Sequence, residues 1–216
     1  MFYSFELVFL IFLKIESMNV VVDIGNTRVK LALFEHGILL EEMNSMDFDA
    51  DFWRKIILKF PDISSVIISS TRKTQDFGFI SEDFFKLILN NDTPLPISIN
   101  YNTPETLGRD RIAAAVGSYL LFPNKSSLVI DAGTCITYEY LNANGEYQGG
   151  GISPGLQMRL DAMHHFTGNL PLLSIPDKEI LLLGKDTNSS MFSGAWQGML
   201  LEIDGLIAEY KLQFGV

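Results

Sequence analysis

The sequence is poor in basic residues and cysteine, and it has no long uninterrupted apolar segment. Its 216 residues include 16 Lys and Arg against 26 Asp and Glu, which gives a formal charge of -10. Such an excess of acid opposes binding to a nucleic-acid backbone, which needs clustered cations. With one cysteine, Cys135, the chain can form neither an internal disulfide nor a Cys-rich metal site. These absences predict a protein of the cytoplasm with no DNA or RNA partner.

The most apolar stretch lies within residues 1–17. It contains Glu6, no positive charge precedes it, no small-residue cleavage site follows it, and it is too short to cross a bilayer. We therefore expect neither a signal peptide nor a membrane partner. Because Met18 stands directly before the first strand-like segment, residues 1–17 are interpreted as an N-terminal extension or a misassigned start, and the fold as beginning near Met18.

Two common nucleotide-binding signatures are missing. The sequence has no GxxxxGK[ST], since the Gly-Lys pair at Gly184 is followed by Asp186, and no GxGxxG stands between a strand and a helix. A P-loop fold and a dinucleotide-binding fold are therefore not supported. The composition, 47% hydrophobic and 19% charged, predicts one large packed domain or two small ones sharing an interface.

An internal repeat is the most informative feature of the sequence. The segments "VVVDIGNTRVKLALF" and "LVIDAGTCITYEYL" each predict a buried strand ending on an Asp, a Gly-containing turn and a returning strand. A third strand follows each hairpin, at residues 38–42 and after the Asn-rich turn at residues 142–145. The first returning strand is expected to be half-exposed. The repeat indicates a duplication.

The remaining elements complete an α/β pattern. Helices are predicted at residues 51–60, 82–89, 111–121, 156–165 and 190–211, and a further buried strand at residues 64–70. The predicted fold class is two tandem ribonuclease H-like subdomains of the actin-like ATPase and sugar-kinase superfamily, facing each other across a cleft. Residues 18–110 are assigned to the first subdomain and residues 111–216 to the second.

Two facing Asp-Gly hairpins can hold a nucleoside triphosphate. Glycine lets backbone N–H groups approach phosphate oxygens, and Thr or Asn adds further donors. Asp23 would bind Mg²⁺ directly or through water. The β and γ phosphates would contact Gly25, Asn26, Thr27 and Lys30. A tight hairpin in which Asp23 caps its own turn is the alternative, and the second hairpin, with Asp131, favours the nucleotide interpretation.

Five motifs carry a family resemblance: "DIGNTRVK", "TPETLGRDR", "DAGTCIT", "GGGISPGLQMRLDAMHHFTGNLP" and "GKDTNSSMFSGAWQGM". Their order and approximate spacing resemble those of the type III pantothenate kinases, also called the Bvg accessory factor family, from Met18 onward. The resemblance implies ATP-dependent phosphorylation of pantothenate, the first committed step toward coenzyme A. It also implies Mg²⁺, a monovalent cation (K⁺ or NH₄⁺), and a homodimer in which the neighbouring subunit helps to close the substrate pocket.

The resemblance also implies roles for individual residues. Asp110 would be the catalytic base, Asp131 the ligand of the monovalent cation and Asp23 the ligand of Mg²⁺. The implied ATP contacts are Asp23, Ile24, Gly25, Asn26, Thr27, Arg28, Val29, Lys30, Gly133 and Thr134. The implied pantothenate contacts are Tyr101, Gly108, Arg109, Asp110, Arg111 and Thr187. Two structural alternatives stay open: Asp110 as the N-cap of a helix, and Arg111 in a structural salt bridge.

Other functions remain possible from the sequence. One is a nucleotide-binding regulatory protein of the same fold, and another is a superfamily kinase acting on a sugar or acetate, which the "LGRDR" motif disfavours. The segment after Ser70, "TRKTQDFG", departs from the family pattern, so nothing is carried over to that loop. Histidines 164 and 165 are not expected to bind metal, since exposed histidines on a helix are common.

Overall fold

The computed structural model of the chain describes residues 18–25, 27–72, 76–90, 92–177 and 179–216. The expected extension at residues 1–17 lies outside the described residues. The described strands are β1 (Met18–Ile24), β2 (Val29–Glu35), β3 (Ile38–Ser45), β4 (Ile63–Ser70), β5 (Phe85–Ile88), β6 (Ser98–Ile99), β7 (Ser127–Ala132), β8 (Cys135–Leu141) and β9 (Glu146–Pro154). The described helices are α1 (Ala50–Lys59), α2 (Arg109–Leu121), α3 (Leu156–His165) and α4 (Thr187–Phe214).

The first sheet has the strand order β3-β2-β1-β4-β5. Strands β1, β2 and β3 are consecutive and antiparallel, as predicted, and β4 runs parallel to β1. Helix α1 begins where the Asp49 carboxylate accepts the N–H of Phe52 at 2.8 Å. Its Trp53 and Ile56 are buried in the cluster that includes Val20 and other residues on one face of the sheet.

Two predictions about this sheet were wrong. Residues 82–89 were expected to be helical, but they contain β5, which pairs in parallel with β4 from Ser65 opposite Phe85 to Ile68 opposite Ile88. A short apolar run can form either a helix or a strand. Here it forms a strand because the free edge of β4 supplies backbone hydrogen-bond partners. Strand β2 is mostly buried rather than half-exposed, because Ala32 and Phe34 pack in a second cluster with Val21 on the opposite face.

The second sheet, ordered β6-β9-β8-β7, repeats the three-strand start of the first. Its antiparallel strands β7, β8 and β9 correspond to β1, β2 and β3, which supports the duplication. The short strand β6, which precedes the assigned division at residue 110, pairs in parallel with β9. The predicted helices near residues 156–165 and 190–211 are confirmed as α3 and α4. Among the described helices, α4 included, none combines the length and apolar character needed to span a bilayer.

Helix α2 lies between the two sheets. It packs against β7 and β8 of the second sheet and against β4 of the first. Its buried Ile112 and Val116 share a cluster with Leu141 and Tyr147. The same two side chains line a small cavity with Ile67 of β4. The N-terminus of α2 is therefore fixed relative to both sheets by apolar packing.

The end of β9 packs tightly on the turn between β7 and β8. A Cβ at Gly155 would lie 2.3 Å from the carbonyl oxygen of Gly133 and 2.6 Å from that of Thr134. We expect Gly155→Ala to lower the free energy of unfolding by about 1–3 kcal/mol, because backbone must move to admit the methyl group. Denaturant unfolding measures the change.

The matched control is Gly194→Ala in α4, where an added Cβ would meet nothing within 4 Å. The free energy of unfolding of this variant should be higher by roughly 0.5–1 kcal/mol, because alanine has a higher helix propensity than glycine. If Gly155→Ala were as stable as the unsubstituted chain, the close approach of β9 to the turn would be wrong.

Candidate active site

Asp23 lies near the end of β1 with polar residues on both neighbouring strands. In the strand register, Asp23 is opposite Lys30 of β2 and Ser69 of β4. The turn that follows is closed by a hydrogen bond from the Gly25 N–H to the Arg28 carbonyl at 3.1 Å. Strand pairing therefore brings an amine and a hydroxyl beside the carboxylate. The predicted ATP contact Asn26 lies outside the described residues.

The start of the loop after β4 braces this first turn. The Thr71 N–H and hydroxyl both donate to the Ile24 carbonyl, at 3.0 and 3.2 Å. Arg72 donates from Nε to the Gly25 carbonyl at 2.9 Å and from Nη1 to Asp47 at 3.1 Å. The family resemblance carried nothing over to this loop, and nothing in its composition marks these contacts in advance.

The second hairpin brings its turn against the first. Asp131 lies near the end of β7, and the Gly133 N–H donates to the Cys135 carbonyl at 2.9 Å. The hydroxyls of Thr27 and Thr134 lie 3.1 Å apart, although 107 residues separate them in the chain. Both side chains are exposed. The structure thus places the two predicted phosphate-binding turns face to face.

Asp110 lies in the first turn of α2, so the alternative in which it caps the helix is wrong. Gly108 is the N-cap and makes no side-chain capping bond. A Cβ at Gly108 would lie 2.4 Å from Oδ1 of Asp110, so glycine leaves room for the carboxylate. That oxygen accepts the N–H of Arg111 at 2.9 Å. A carboxylate at a helix N-terminus is also favoured by the helix dipole.

The three carboxylates interact electrostatically. Burial raises the pKa of Asp23 to about 6; Lys30 opposes the rise, and the negative charges of Asp110 and Asp131 add to it. Burial likewise raises the pKa of Asp131, with Lys30 opposing and Asp110 adding. Lys30 thus offsets only part of the negative charge around Asp23 and Asp131, an arrangement that cations would stabilise.

The protein alone does not complete a metal cage here. Within the described ranges, no three His, Cys, Asp or Glu side chains are grouped as metal ligands. A hard cation in this cleft would therefore take most of its oxygen ligands from a bound phosphate and from water, which is usual for Mg²⁺.

Arg111 forms a buried ion pair with Glu139, which is the structural salt bridge that the sequence left open. Its Nε donates to Oε1 of Glu139 at 2.7 Å, and the Tyr147 hydroxyl donates to Oε2 at 2.6 Å. The guanidinium carbon lies 5.9 Å from the ring centre of Tyr101. Sequence reasoning missed Glu139 and Tyr147. The available signal was a glutamate in the middle of an otherwise apolar strand, since such a charge needs a partner.

The other predicted substrate contacts are more scattered. Arg109 donates from Nη1 to the Leu107 carbonyl at 2.9 Å. Thr187 is exposed as the first residue of α4, next to a groove of about 690 Å³ that Lys185 and Phe192 help to line. The main helix contact of α4 is α3 rather than α2. No described contact joins Thr187 to the acidic residues.

Comparisons with known proteins agree with this geometry. A crystal structure of a conserved Baf family protein from Campylobacter jejuni matches with a TM-score of 0.54 and 20% identity, covering 86% of this chain and 78% of that one. That match concerns the fold alone. The two similar sheets and the paired Asp-Gly turns agree with the predicted fold class of two tandem α/β subdomains.

The family follows from sequence similarity. The model of the type III pantothenate kinases matches residues 19–209. Similar proteins include the type III pantothenate kinases of Flavobacterium johnsoniae, 40% identical, and Bacteroides fragilis, 41% identical. Each alignment covers 91% of this chain and 82% of the relative. The chain belongs to the type III pantothenate kinase family and is a kinase.

The raised pKa of Asp23 predicts a pH-dependent stability effect in the metal-free protein. A carboxyl with a pKa near 4 in the unfolded chain and about 6 in the fold lowers stability as pH rises through this window. Asp23→Asn removes that penalty. Its free energy of unfolding at pH 7.5 should exceed that of the unsubstituted chain by roughly 1–3 kcal/mol, with the difference vanishing near pH 4.

Chemical unfolding at several pH values in a chelator measures this effect. Asp204→Asn on the exposed side of α4 is the control and should change stability by less than about 0.5 kcal/mol. A stability difference for Asp23→Asn that did not vary between pH 4 and 7.5 would contradict the burial and charge clustering of Asp23.

Proposed function

We propose that this protein transfers the γ-phosphoryl group of ATP to pantothenate, giving 4'-phosphopantothenate in the first step of coenzyme A synthesis. The observation that carries the proposal is the convergence of Asp23, Asp110 and Asp131 where the Thr27 and Thr134 hydroxyls meet, in a chain of this family. In this proposal the reaction takes place in the cytoplasm and involves neither nucleic acid nor a membrane.

The acidic cleft fits a nucleotide accompanied by cations. In the proposal Asp23 holds Mg²⁺ and Asp131 holds a monovalent cation, K⁺ or NH₄⁺. Clustered carboxylates with raised pKa values and a single lysine supply oxygen ligands and excess negative charge. Bound Mg²⁺ would neutralise charge on the transferring phosphoryl group. The exposed turns would contact the phosphates through backbone N–H groups and through the hydroxyls of Thr27 and Thr134.

Asp110 acts as the general base in this proposal. Its carboxylate accepts the proton of the primary hydroxyl of pantothenate as that oxygen attacks the γ phosphorus, and ADP leaves. The base is held on the first turn of α2, which packs against both sheets, so its position relative to the two turns is fixed. General-base catalysis of this kind contributes roughly 10²–10⁴ in rate.

The pantothenate pocket is assigned to the residues around the start of α2. Tyr101, Gly108, Arg109 and Arg111 are the proposed contacts within one subunit, and Thr187 is a proposed contact contributed by a second subunit. A homodimer would cover apolar side chains that are exposed in the single chain, Leu172, Ile175, Leu181, Leu182, Leu183 and Leu201. Such an exposed apolar surface is typical of a protein interface.

Replacing the proposed base tests the reaction. ADP release should require pantothenate and Mg²⁺ and be faster with K⁺ than with Na⁺. Asp110→Asn should lower kcat at least about a hundredfold, because the amide cannot accept the proton. Binding of ATP, measured by titration calorimetry, should persist in the variant.

Equal turnover by Asp110→Asn and the unsubstituted enzyme would reject Asp110 as the base. ATP binding with no pantothenate-dependent ADP release in either protein would reject the kinase assignment and favour a nucleotide-binding regulatory role.

The proposed dimer makes a separate prediction. Leu182 is 75% exposed in the single chain. Leu182→Glu should shift the protein from dimer to monomer in sedimentation velocity, because a charge would be desolvated at an apolar interface. Leu58→Glu on α1, where Leu58 is 77% exposed outside the proposed interface, is the control and should remain dimeric. A monomeric unsubstituted protein would contradict the dimer.

A further inference from the structure

A buried polar network joins the helix that carries Asp110 to the hairpin that carries Asp131. Arg111 is 6% exposed and Glu139 is 1% exposed, and both are fixed by the hydrogen bonds described above. Tyr147 is fully buried, and its ring centre lies 6.1 Å from that of Tyr101. The network therefore runs from α2 through β8 to β9 and ends beside a proposed substrate contact.

A buried ion pair of this kind contributes little to the stability of a fold, because removing two charges from water offsets much of their mutual attraction. Burial lowers the pKa of Arg111, but the hydrogen bond and charge of Glu139 outweigh this and hold it above its usual value. The guanidinium thus stays charged, and its charge is matched by one carboxylate.

One nitrogen of the Arg111 guanidinium, Nη2, is buried and has no hydrogen-bond partner within the described part of the chain. An unmet buried N–H is costly and rare in native structures. The ring of Tyr101, itself a proposed pantothenate contact, lies beside this guanidinium, so an oxygen atom of a molecule bound there can supply the missing acceptor.

We propose that Glu139, held by Tyr147, is a positioning residue that directs Arg111 so that its Nη2 donates to an oxygen of the bound substrate. Glu139 touches neither substrate nor nucleotide in this role. It acts by fixing the plane of the guanidinium and by balancing its charge, so that the N–H groups of Nη2 keep one direction. The inference rests on the proposed function and adds Glu139 and Tyr147 to its substrate site.

Steady-state kinetics with each substrate varied in turn tests the inference. Glu139→Gln should raise KM for pantothenate at least about tenfold, as expected for loss of a charged hydrogen bond. Tyr147→Phe, which removes one hydroxyl, should raise it by about fivefold. KM for ATP should change by less than about twofold in both variants, a split that a general loss of structure would not produce.

The matched control is Glu202→Gln. Glu202 also pairs with an arginine, Arg159, and accepts from Tyr138 of β8, but it lies on α4 and outside the proposed site. The Glu202→Gln variant should have KM values for pantothenate and ATP within about twofold of those of the unsubstituted enzyme. In an Arg111→Met background, Glu139→Gln should raise KM for pantothenate no further, because it acts through Arg111.

The outcomes are distinguishable. Turnover of pantothenate by the unsubstituted enzyme, with unchanged KM values in Tyr147→Phe and Glu139→Gln, would overturn the role of Glu139 and leave the proposed function intact. No turnover by the unsubstituted enzyme would overturn both. If Glu139→Gln failed to fold, as shown by its thermal unfolding curve, Tyr147→Phe alone would decide.

Discussion

Burial of the Asp23 and Asp131 carboxylates, together with the mutual repulsion of Asp23, Asp110 and Asp131, is the constraint on which the rest of the site depends. The acids come from three elements, β1, α2 and β7, and Lys30 alone among the described side chains opposes the rise in pKa of both Asp23 and Asp131. Strand pairing and the apolar packing of α2 hold the carboxylates together despite this repulsion. The fold therefore stores unfavourable electrostatic energy at one place, and positive charge bound there releases it.

Helix α2 links this electrostatic site to the proposed substrate pocket. Its first turn places Asp110 toward the acids, and the next residue, Arg111, turns into the second sheet to meet Glu139. The proposed base and the proposed substrate-binding arginine thus lie on the same helix.

Much of this arrangement could be predicted from the sequence, because its signals are local. The Asp-Gly turns, the antiparallel hairpins and α3 follow from apolar periodicity interrupted by turn residues. The features that the sequence did not predict depend on contacts between residues that are distant in sequence. Residues 82–89 form a strand because β4 offers a free edge, and the bracing by Arg72 and the pairing of Glu139 with Arg111 arise only when distant segments meet.

The pKa of the Asp23 carboxyl, followed by NMR in the metal-free protein with and without the Asp110→Asn substitution, tests the clustering of the three acids most directly. The account predicts a pKa of about 6 that falls in the variant, because a neighbouring negative charge has been removed. A pKa near 4 in the unsubstituted protein, or one that does not change in Asp110→Asn, would contradict it.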